Sequence, residues 1–300
     1  MTKKQKGLLL GLATYLFWAF LSLYWKLLSG VDAYSTFSYR IIWTVITMLI
    51  YMMVTRSGGR FSKELKNLAM DKLGFARALL ASLLIALNWL TYIYAITNGY
   101  ATQSSLGYYM MPLVSVLLAL VFLKESLTPA TSLAVIIASL GVVLLLIQTG
   151  QLPVIALVLA FSFGFYSLIK KGTKLSSDVA LFFKAGVILT FVLIYLLFFN
   201  QESPLDYSLS ENILLAMSGI VTAIPLLLYA EALKRAPLNL IGFIQYLNPT
   251  IQLLIALFVF KEDLSKEQLT GLIFIWIAII VFVLRQVLLY NKQRKVGKDS

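Results

Sequence analysis

The chain has 300 residues, 60% of them hydrophobic and 13% charged, whereas soluble domains average about 25% charged residues. Such a composition leaves no room for a soluble catalytic domain. The absence of cysteine excludes disulfides and thiolate chemistry, and the absence of histidine removes the usual metal ligand and proton shuttle.

Ten apolar stretches, separated by short polar loops, follow one another along the chain. Each has roughly the 18–25 residues that a helix needs to cross a bilayer core of about 30 Å. Unpaired backbone groups are costly in hydrocarbon, so each stretch is predicted to be a helix. The first stretch follows three lysines but is too long for a signal peptide and lacks a cleavage site, so it is expected to remain. The predicted fold is therefore an all-α integral membrane protein with ten transmembrane helices, at Gly7–Leu28, Tyr34–Val54, Phe75–Thr97, Thr102–Leu123, Thr131–Ile147, Leu152–Ile169, Val179–Phe199, Asn212–Ala230, Leu238–Phe260 and Leu269–Leu289.

Lysine and arginine are distributed unevenly between the two predicted sides. With the N-terminus inside, the inner segments carry most of them, whereas the outer segments keep only Lys26, Lys261 and Lys266. This skew predicts that both termini are cytoplasmic, in a bacterial inner-membrane protein. The net charge of +12 is then explained by topology and by contact with anionic lipids, not by nucleic acid.

The two halves of the chain match each other in register. A shift of 137 residues aligns the later helices, and a shift of 145 residues aligns the earlier ones. The difference of 8 falls in loops, because Thr55–Gly74 is longer than its counterpart Asn200–Ser210 by about that much. The pairs that carry the match are Tyr92 with Tyr229, Tyr109 with Tyr246, Pro112 with Pro249 and Lys124-Glu125 with Lys261-Glu262. The shift of 145 residues aligns Phe20 with Phe165, Ser22 with Ser167 and Lys26 with Lys171.

Five helices per half is an odd number, so the second half enters the membrane from the opposite side. Inverted repeats of this kind are typical of alternating-access transporters, whose site lies at the repeat interface near mid-membrane. Duplication in a membrane enzyme or a scaffold is the alternative. We therefore predict two domains, a five-helix repeat over residues 1–148 and a second one over residues 149–300, which ends in a short basic tail.

Arg40 and Lys184 fall within predicted helices, and Glu231 lies at the end of one. Arg40 lies about two turns inside the second helix, where a charge usually faces a cavity or a partner. A guanidinium can grip a carboxylate with two hydrogen bonds, so we interpret Arg40 as an anchor for an anionic group, with a structural arginine as the alternative. Lys184 lies near the equivalent position in the seventh helix, and snorkelling to the inner headgroups is favoured over a second cation site. Glu231 could carry a coupling proton, but Lys234 and Arg235 one turn later favour a surface ion pair.

Polar and aromatic side chains cluster near the middle of the third, fourth and ninth helices. Buried amides must find partners across helices or in a wet cavity, and prolines free a backbone carbonyl and permit a kink. We predict a cavity hinged at the prolines, with interhelical hydrogen bonding and packing as the alternative. Trp18, Trp25, Trp43 and Trp276 are interpreted as packing or interfacial anchors. The substrate-binding candidates are Arg40, Asn88, Trp89, Tyr92, Tyr108, Tyr109, Gln245, Tyr246 and Asn248, with Gln252 nearby, and the hinge candidates are Pro112, Pro225 and Pro249.

Short motifs carry a resemblance to a known family. They are Arg40-Ile41-Ile42-Trp43, Asn88-Trp89, Ser105-Leu106-Gly107-Tyr108, Pro112-Leu113, Gly242-Phe243-Ile244-Gln245-Tyr246 and Pro249-Thr250. In these motifs the chain resembles the EamA domains of the drug/metabolite transporter superfamily, most closely their RarD-like, chloramphenicol-sensitivity subgroup. It departs from that subgroup at Tyr39, where histidine is common, and at Met111, where asparagine is common. The resemblance implies a ten-helix inner-membrane protein with both termini inside, in a family with many exporters or exchangers of amino acids and other metabolites.

The sequence thus predicts a plasma-membrane transporter of a small metabolite, such as an amino acid, an organic anion or a drug-like solute. It would export or exchange this solute by alternating access. The expected partners are the solute and membrane lipids, with no cofactor, and a homodimer remains an open alternative. No phosphate loop, metal cluster or nucleophile–base pair stands out, so no catalytic residue or metal site is predicted. The competing functions are an integral membrane enzyme acting on a lipid or isoprenoid, and a non-transporting scaffold.

Overall fold

Helices account for every regular element that the computed structural model describes. The described residues are 2–123, 129–149, 152–170, 175–200, 203–233, 235–236 and 244–296. The helices are α1 (Lys3–Lys26), α2 (Ala33–Val54), α3 (Gly58–Met70), α4 (Lys72–Thr97), α5 (Ala101–Leu123), α6 (Pro129–Thr149), α7 (Val154–Lys170), α8 (Ser177–Phe198), α9 (Leu209–Leu233), α10 (Leu247–Leu254) and α11 (Lys266–Val296), with a 3-10 turn at Pro204–Asp206 and a π-helical turn at Ile255–Val259.

Several of these helices have the length and composition of membrane spans. Five are long and apolar enough to cross a membrane, namely α1, α2, α4, α8 and the Leu209–Tyr229 part of α9. Shorter apolar helical segments lie at Ser132–Leu144, Val154–Ile169 and Leu247–Val259. The predicted all-α membrane fold is thereby confirmed. The count of ten spans and the division into residues 1–148 and 149–300 stay predictions.

The N-terminus of α2 sets the position of the buried arginine. The carboxylate of Asp32 accepts hydrogen bonds from the backbone N–H groups of Tyr34 and Ser35, at 2.8 and 3.1 Å. An aspartate at this position satisfies donors that the first helical turn leaves free, and its charge complements the helix dipole. This cap fixes where α2 begins, so that Arg40 lies about two turns inside it, among the buried residues.

Helix α3 occupies a segment that was predicted to be a loop, Thr55–Gly74, and that prediction was wrong. Phe61 and Leu68 are buried, whereas Lys63 and Lys66 are exposed. The apolar positions repeat with the helical period, which is typical of a helix lying on a surface. Such a helix is too short and too polar to be read as a membrane span.

Two contacts fasten α3 to the N-terminus of α8. Arg60 forms an ion pair with Asp178 in the first turn of α8. The carboxylate of Glu64 accepts hydrogen bonds from the backbone N–H and from the hydroxyl of Ser176, the residue that precedes α8, at 2.9–3.0 Å. A carboxylate at this place satisfies free N–H groups of the helix end. Helix α3 therefore holds the N-terminus of α8 in position, and we call these two contacts the brace between α3 and α8.

The described part of the ninth predicted span, Leu238–Phe260, differs from the prediction. Helix α10 begins at Leu247, after a turn at Tyr246, and passes into the π-helical turn. Pro249 is the third residue of α10, where a missing N–H costs no intrahelical hydrogen bond, so it lies in a first turn rather than at a mid-helix kink. The sequence positions Lys124, Glu125, Lys171, Lys234, Gly242 and Phe243, considered above, lie outside the described residues.

Helices of one half pack extensively on helices of the other half. Helices α1 and α2 both lie against α9, and α4 and α5 both lie against α7. The pairs repeat between the halves, because α1 with α9 corresponds to α7 with α4, and α1 with α10 corresponds to α7 with α5. Side chains also cross: Ser105 Oγ donates to the carbonyl of Pro249 at 2.7 Å. The halves interlock, so a site at their interface draws on both.

The N-terminus of α5 is capped from the other half of the chain. The carboxylate of Glu262 accepts hydrogen bonds from the backbone N–H groups of Ala101 and Thr102 and from the Thr102 hydroxyl, each at 2.7 Å. A carboxylate at a helix N-terminus satisfies free donors and complements the dipole. Because Glu262 follows the π-helical turn after α10, this contact ties the end of that segment to the start of α5.

Helices α2 and α9 approach each other closely at Gly219. A Cβ atom added to Gly219 would lie 2.1 Å from the carbonyl oxygen of Trp43 and 2.6 Å from Oγ1 of Thr47. A glycine is needed here because any side chain would meet the backbone of α2. Thr222 follows three residues later on α9, so this close approach holds its side chain against α2.

Candidate functional site

Arg40 is buried at the interface between the two halves, with 5% of its surface exposed. Its Nε donates a hydrogen bond of 2.9 Å to Oγ1 of Thr222 on α9. Its Cζ lies 5.0 Å from the ring centroid of Trp25 on α1 and 4.5 Å from that of Trp89 on α4. Such cation–π contacts contribute about 2 kcal/mol when they are desolvated. Four helices, α1, α2, α4 and α9, thus hold one guanidinium in place.

The charge of Arg40 has no counter-ion among the described residues. None of the ion pairs in that part of the chain involves Arg40, and its Nη1 is buried without a hydrogen-bond partner there. A buried charge without a partner is costly, and the two rings and Thr222 offset only part of that cost. The Nη1 donor is therefore available to an incoming anion.

Polar contacts continue from Arg40 to α10. The rings of Tyr92 and Tyr108 meet edge to face with their centroids 5.4 Å apart, and both residues lie within electrostatic range of the guanidinium. Nε2 of Gln252 donates to the Tyr92 hydroxyl at 3.2 Å and to Oδ1 of Asn248 at 3.0 Å. We call Arg40, Tyr92, Tyr108, Asn248 and Gln252 the central polar group. It contains residues of both halves.

Buried atoms of complementary hydrogen-bonding character are left without partners at and around this group. Nη1 of Arg40 and Nε1 of Trp25 are donors, whereas Oε1 of Gln252 is an acceptor, and none of the three has a partner among the described residues. Buried polar atoms are nearly always hydrogen-bonded in proteins. A solute with a carboxylate and an ammonium group carries the acceptor and the donor that these atoms lack.

Asn88 points away from the central polar group. Its Nδ2 donates to the carbonyl of Leu159 at 2.9 Å and to Oγ of Ser162 at 3.1 Å, both on α7. Asn88 thus joins α4 to α7, as the alternative of interhelical hydrogen bonding expects. Its neighbour Trp89 faces Arg40, because successive helical residues point in different directions.

The other predicted site residues have separate surroundings. The hydroxyls of Tyr109 and Thr250 are 2.8 Å apart, which joins α5 to α10. Tyr246 is half-buried, and its buried hydroxyl has no partner among the described residues. Gln245 is half-buried before α10, and the contacts of the described residues do not join it to the central polar group. The structure thus gathers Arg40, Trp89, Tyr92, Tyr108 and Asn248, but not the remaining candidates.

Lys184 does not extend to the lipid headgroups, so the favoured interpretation of snorkelling was wrong. Only 8% of its surface is exposed, and its Nζ donates a hydrogen bond of 2.7 Å to the Tyr166 hydroxyl on α7. The side chain turns inward because α7 supplies both a hydroxyl and an aromatic ring.

Glu231 forms a local ion pair. Its Oε1 accepts hydrogen bonds from Nε and Nη2 of Arg235, at 2.8 and 2.6 Å, one turn further along the chain. Both side chains are partly exposed, so this is a surface pair of the kind that contributes little to stability. The Glu231 carboxylate thus faces Arg235.

Trp25 and Thr222 are parts of the site that the sequence interpretation missed. Trp25 was assigned to packing or to an interfacial anchor, but it is fully buried against Arg40. Thr222 carried no signal, because a single threonine in an apolar helix is common. Trp25 lies only three residues before Leu28, the end of its predicted helix, which favoured the interpretation as an interfacial anchor. In the part of the chain that the structure describes, no group of acidic side chains could hold a metal ion.

Comparison with known proteins agrees with this architecture. Residues 5–147 and 153–284 each match the family described as the EamA-like transporter family. The chain is 41% identical to "Uncharacterized transporter YojE" of Bacillus subtilis, over 94% of this chain and 95% of that protein. It is 34% identical to "Protein RarD" of Escherichia coli, over 97% of each. A crystal structure with 18% identity has a TM-score of 0.61, over 95% of this chain and 99% of that one, which concerns the fold alone.

Proposed function

The chain belongs to the EamA-like transporter family, and we propose that it exports or exchanges a small metabolite that carries a carboxylate. That it is a membrane transporter and not an enzyme follows from the family and from relatives that are named transporters. The class of solute is inferred from the central polar group, and the outward direction from the resemblance of the sequence motifs to a family with many exporters.

One observation carries the choice of a carboxylate, namely the buried and unpartnered Nη1 of Arg40. Nε of the same guanidinium is already held by Thr222, and two rings orient its plane. A planar guanidinium recognises a carboxylate or phosphate through directed N–H donors, which a lysine cannot imitate. Arg40 is therefore preorganised for an anion before the anion arrives, which lowers the cost of binding.

The surroundings of Arg40 restrict the class of solute further. Oε1 of Gln252 is a buried acceptor without a described partner, and the rings of Tyr92 and Tyr108 form an aromatic wall. An amino acid or another amphipathic zwitterion offers a donor to Gln252, a carboxylate to Arg40 and an apolar part to the wall. We expect Trp89 and Asn248, which complete this arrangement, to contact the solute as well. Asn88, Tyr109, Gln245 and Tyr246 are assigned supporting roles.

Alternating access requires the two halves to move against each other around the site. The Arg40–Thr222 and Tyr92–Gln252 hydrogen bonds cross between the halves, so a solute that bridges them couples binding to this movement. We place the solute between the halves for that reason. Both termini would be cytoplasmic, in the bacterial inner membrane, as the distribution of lysine and arginine predicts.

Three prolines are proposed as hinges for this movement. Pro112 in α5 and Pro225 in α9 lie inside helices, where the missing N–H of a proline permits bending. Pro249 lies in the first turn of α10, beside the turn at Tyr246, where the chain direction can change without breaking a helix.

Transport by reconstituted protein tests this function. Liposomes loaded with a panel of amino acids and organic acids should release at least one solute faster than empty-membrane controls. Arg40→Ala should reduce that release by roughly tenfold to a hundredfold, because a hydrogen bond to a charged group contributes about 1.5–3 kcal/mol. Arg40→Lys should retain part of the activity. For a solute whose carboxylate is capped as an amide, the rate of release should differ little between wild type and Arg40→Ala.

The matched control is Arg235→Ala, which removes an arginine from a surface pair and should leave transport unchanged. Melting temperature separates an anchor from a structural arginine. If Arg40→Ala lowered the release of capped and uncapped solutes equally and also lowered the melting temperature strongly, the anchor role would be refuted. If no solute crossed faster than in protein-free liposomes, the choice of solute class would fail.

A further inference from the structure

A second buried cation lies apart from Arg40, at Lys184 on α8. Its Nζ donates to the Tyr166 hydroxyl at 2.7 Å and lies 4.9 Å from the centre of the same ring. No ion pair among the described residues involves Lys184. An ammonium group has three N–H donors, and one phenol oxygen leaves donors unused. The site therefore carries a positive charge that the described residues do not neutralise.

Lys184 lines a pocket between α4, α7 and α8. The cavity itself has a volume of only about 20 Å³, enough for roughly one water-sized group, and it opens at its mouth. The small side chains of the alanines create the open space of the pocket, and the larger apolar side chains form its walls. A cavity of this size beside one ammonium admits the oxygen atoms of an anionic group, while the small apolar body of the ligand stays at the mouth. Besides Lys184 and Tyr166, the lining residues are Ala78, Ala81, Leu175, Ala180 and Phe183.

Lys184 and Arg40 occupy related places in the two halves. Under the shift of 145 residues, Lys184 lies one position from the equivalent of Arg40. Each cation is buried, lies over at least one aromatic ring and has one hydroxyl partner, Tyr166 in one case and Thr222 in the other. The second half therefore repeats the chemistry that makes Arg40 a candidate anchor.

One side chain connects the surroundings of the two cations. The ring of Trp89 lies 4.5 Å from Cζ of Arg40 and also packs against the cluster that contains Ala81 and Tyr166. These two residues line the pocket of Lys184. The indole ring of Trp89 therefore contacts the surroundings of both cation sites.

We propose that Lys184 and Tyr166 form a second anion-binding subsite, which takes a carboxylate or phosphate group on a small apolar body. The subsite rests on its own contacts. Its place on the transport path rests on the proposed function above. On the predicted topology this pocket lies in the cytoplasmic half of the membrane, so an exported solute meets Lys184 before Arg40.

Binding of 4-fluorobenzoate to the full chain in lipid-free detergent micelles tests the subsite, because fluorine NMR resolves separate bound populations. Wild type should show one population for each cation. Lys184→Met removes the charge at nearly constant volume and should weaken one population by at least about tenfold, the usual effect of losing a charged hydrogen bond. Arg40→Met should weaken the other population only.

Several variants serve as controls for misfolding and for non-specific binding of anions. Lys184→Arg should keep most of the binding, and Tyr166→Phe, which retains the ring, should weaken it several-fold. Lys26→Met is the matched control, because Lys26 also lies over a ring, that of Phe260 at 5.4 Å, but outside the pocket. It should bind as wild type does. The neutral 4-fluorobenzamide should bind to neither cation.

Unchanged binding by Lys184→Met, in a protein that melts at the wild-type temperature, would overturn the proposal, and so would equal binding of 4-fluorobenzamide. Unchanged binding by Arg40→Met would refute the anchor role of Arg40 and leave the subsite standing. Vesicles of phosphatidylcholine with and without phosphatidylglycerol then identify the source of the anion. If phosphatidylglycerol displaces 4-fluorobenzoate from the Lys184 site, the pocket binds a lipid headgroup. If phosphatidylglycerol displaces none, the pocket binds a free solute.

Discussion

Replacing Gly219 with alanine should destabilise the protein and disturb Arg40 at the same time. The new Cβ would lie 2.1 Å from the carbonyl oxygen and 2.3 Å from the carbonyl carbon of Trp43. Contacts under 3.0 Å are essentially never seen for Cβ atoms. Since both Trp43 atoms belong to the backbone of α2, no side-chain rotation can relieve the clash, and α9 must move away from α2.

The expected loss of stability in Gly219→Ala is the difference between two opposing effects. Overpacking typically costs about 1–3 kcal/mol, and a backbone clash belongs at the upper end of that range. Alanine recovers about 1 kcal/mol of helix propensity relative to glycine. The net loss of about 2 kcal/mol corresponds to a decrease in melting temperature of roughly 4 °C. Moving α9 also lengthens the 2.9 Å bond from Arg40 to Thr222, so transport should decrease together with stability.

Gly186→Ala is the matched control for this prediction. It makes the same change inside α8, where an added Cβ meets no atom within 4 Å. Its melting temperature should stay equal or rise slightly, because alanine restricts the unfolded chain. Both variants are compared by thermal unfolding in detergent and by initial transport rates in liposomes. Equal melting temperatures for Gly219→Ala and Gly186→Ala would show that α2 and α9 are not in such close contact, and the reasoning would fail.

Two further predictions concern contacts that join the halves at the helix ends. Glu262→Gln should speed hydrogen exchange at the amides of Ala101 and Thr102 about tenfold, because glutamine loses one acceptor and the charge that complements the α5 dipole; an exchange rate equal to wild type would argue against the cap. For the brace between α3 and α8, a double-mutant cycle of Arg60→Gln and Asp178→Asn, measured by thermal unfolding, should give a coupling energy of about 0.5–1 kcal/mol. A coupling of zero would mean that this ion pair does not fasten α3.

The sequence was sufficient to single out Arg40 but not its partners. A charge inside an apolar span stands out in any reading of the chain. Thr222, by contrast, is 182 residues from Arg40, and Gln252 is 160 residues from Tyr92. Nothing in the local sequence of either residue indicates such a contact. These partners depend on how two helices are rotated against each other, which is a property of the packed structure.

The errors over Lys184 and α3 have different physical causes. The depth of Lys184 along its helix was correctly judged, but the direction of a side chain around a helix that is apolar on all sides cannot be read from the sequence. Helix α3 was missed because a search for long apolar runs does not detect a short amphipathic helix. The spacing of Phe61, Leu65 and Leu68 nevertheless indicates such a helix. Pro249 could have been placed correctly, since proline is favoured in the first turn of a helix.

Equivalent residues of the two halves have unequal surroundings, and this inequality bears on mechanism. The hydroxyl of Tyr92 accepts a hydrogen bond from Gln252, whereas the ring of its counterpart Tyr229 packs on Tyr15 and Trp18. Two halves of an inverted repeat in identical conformations would open, or close, the path to both sides of the membrane together. A transporter that opens to one side at a time must therefore hold its halves in different conformations. Under the shifts of 137 and 145 residues the counterparts of Gln252, Tyr15 and Trp18 are Ser115, Ala160 and Phe163. The different partners of Tyr92 and Tyr229 are therefore built into the sequences of the two halves, so the halves of this transporter are not chemically interchangeable at this position.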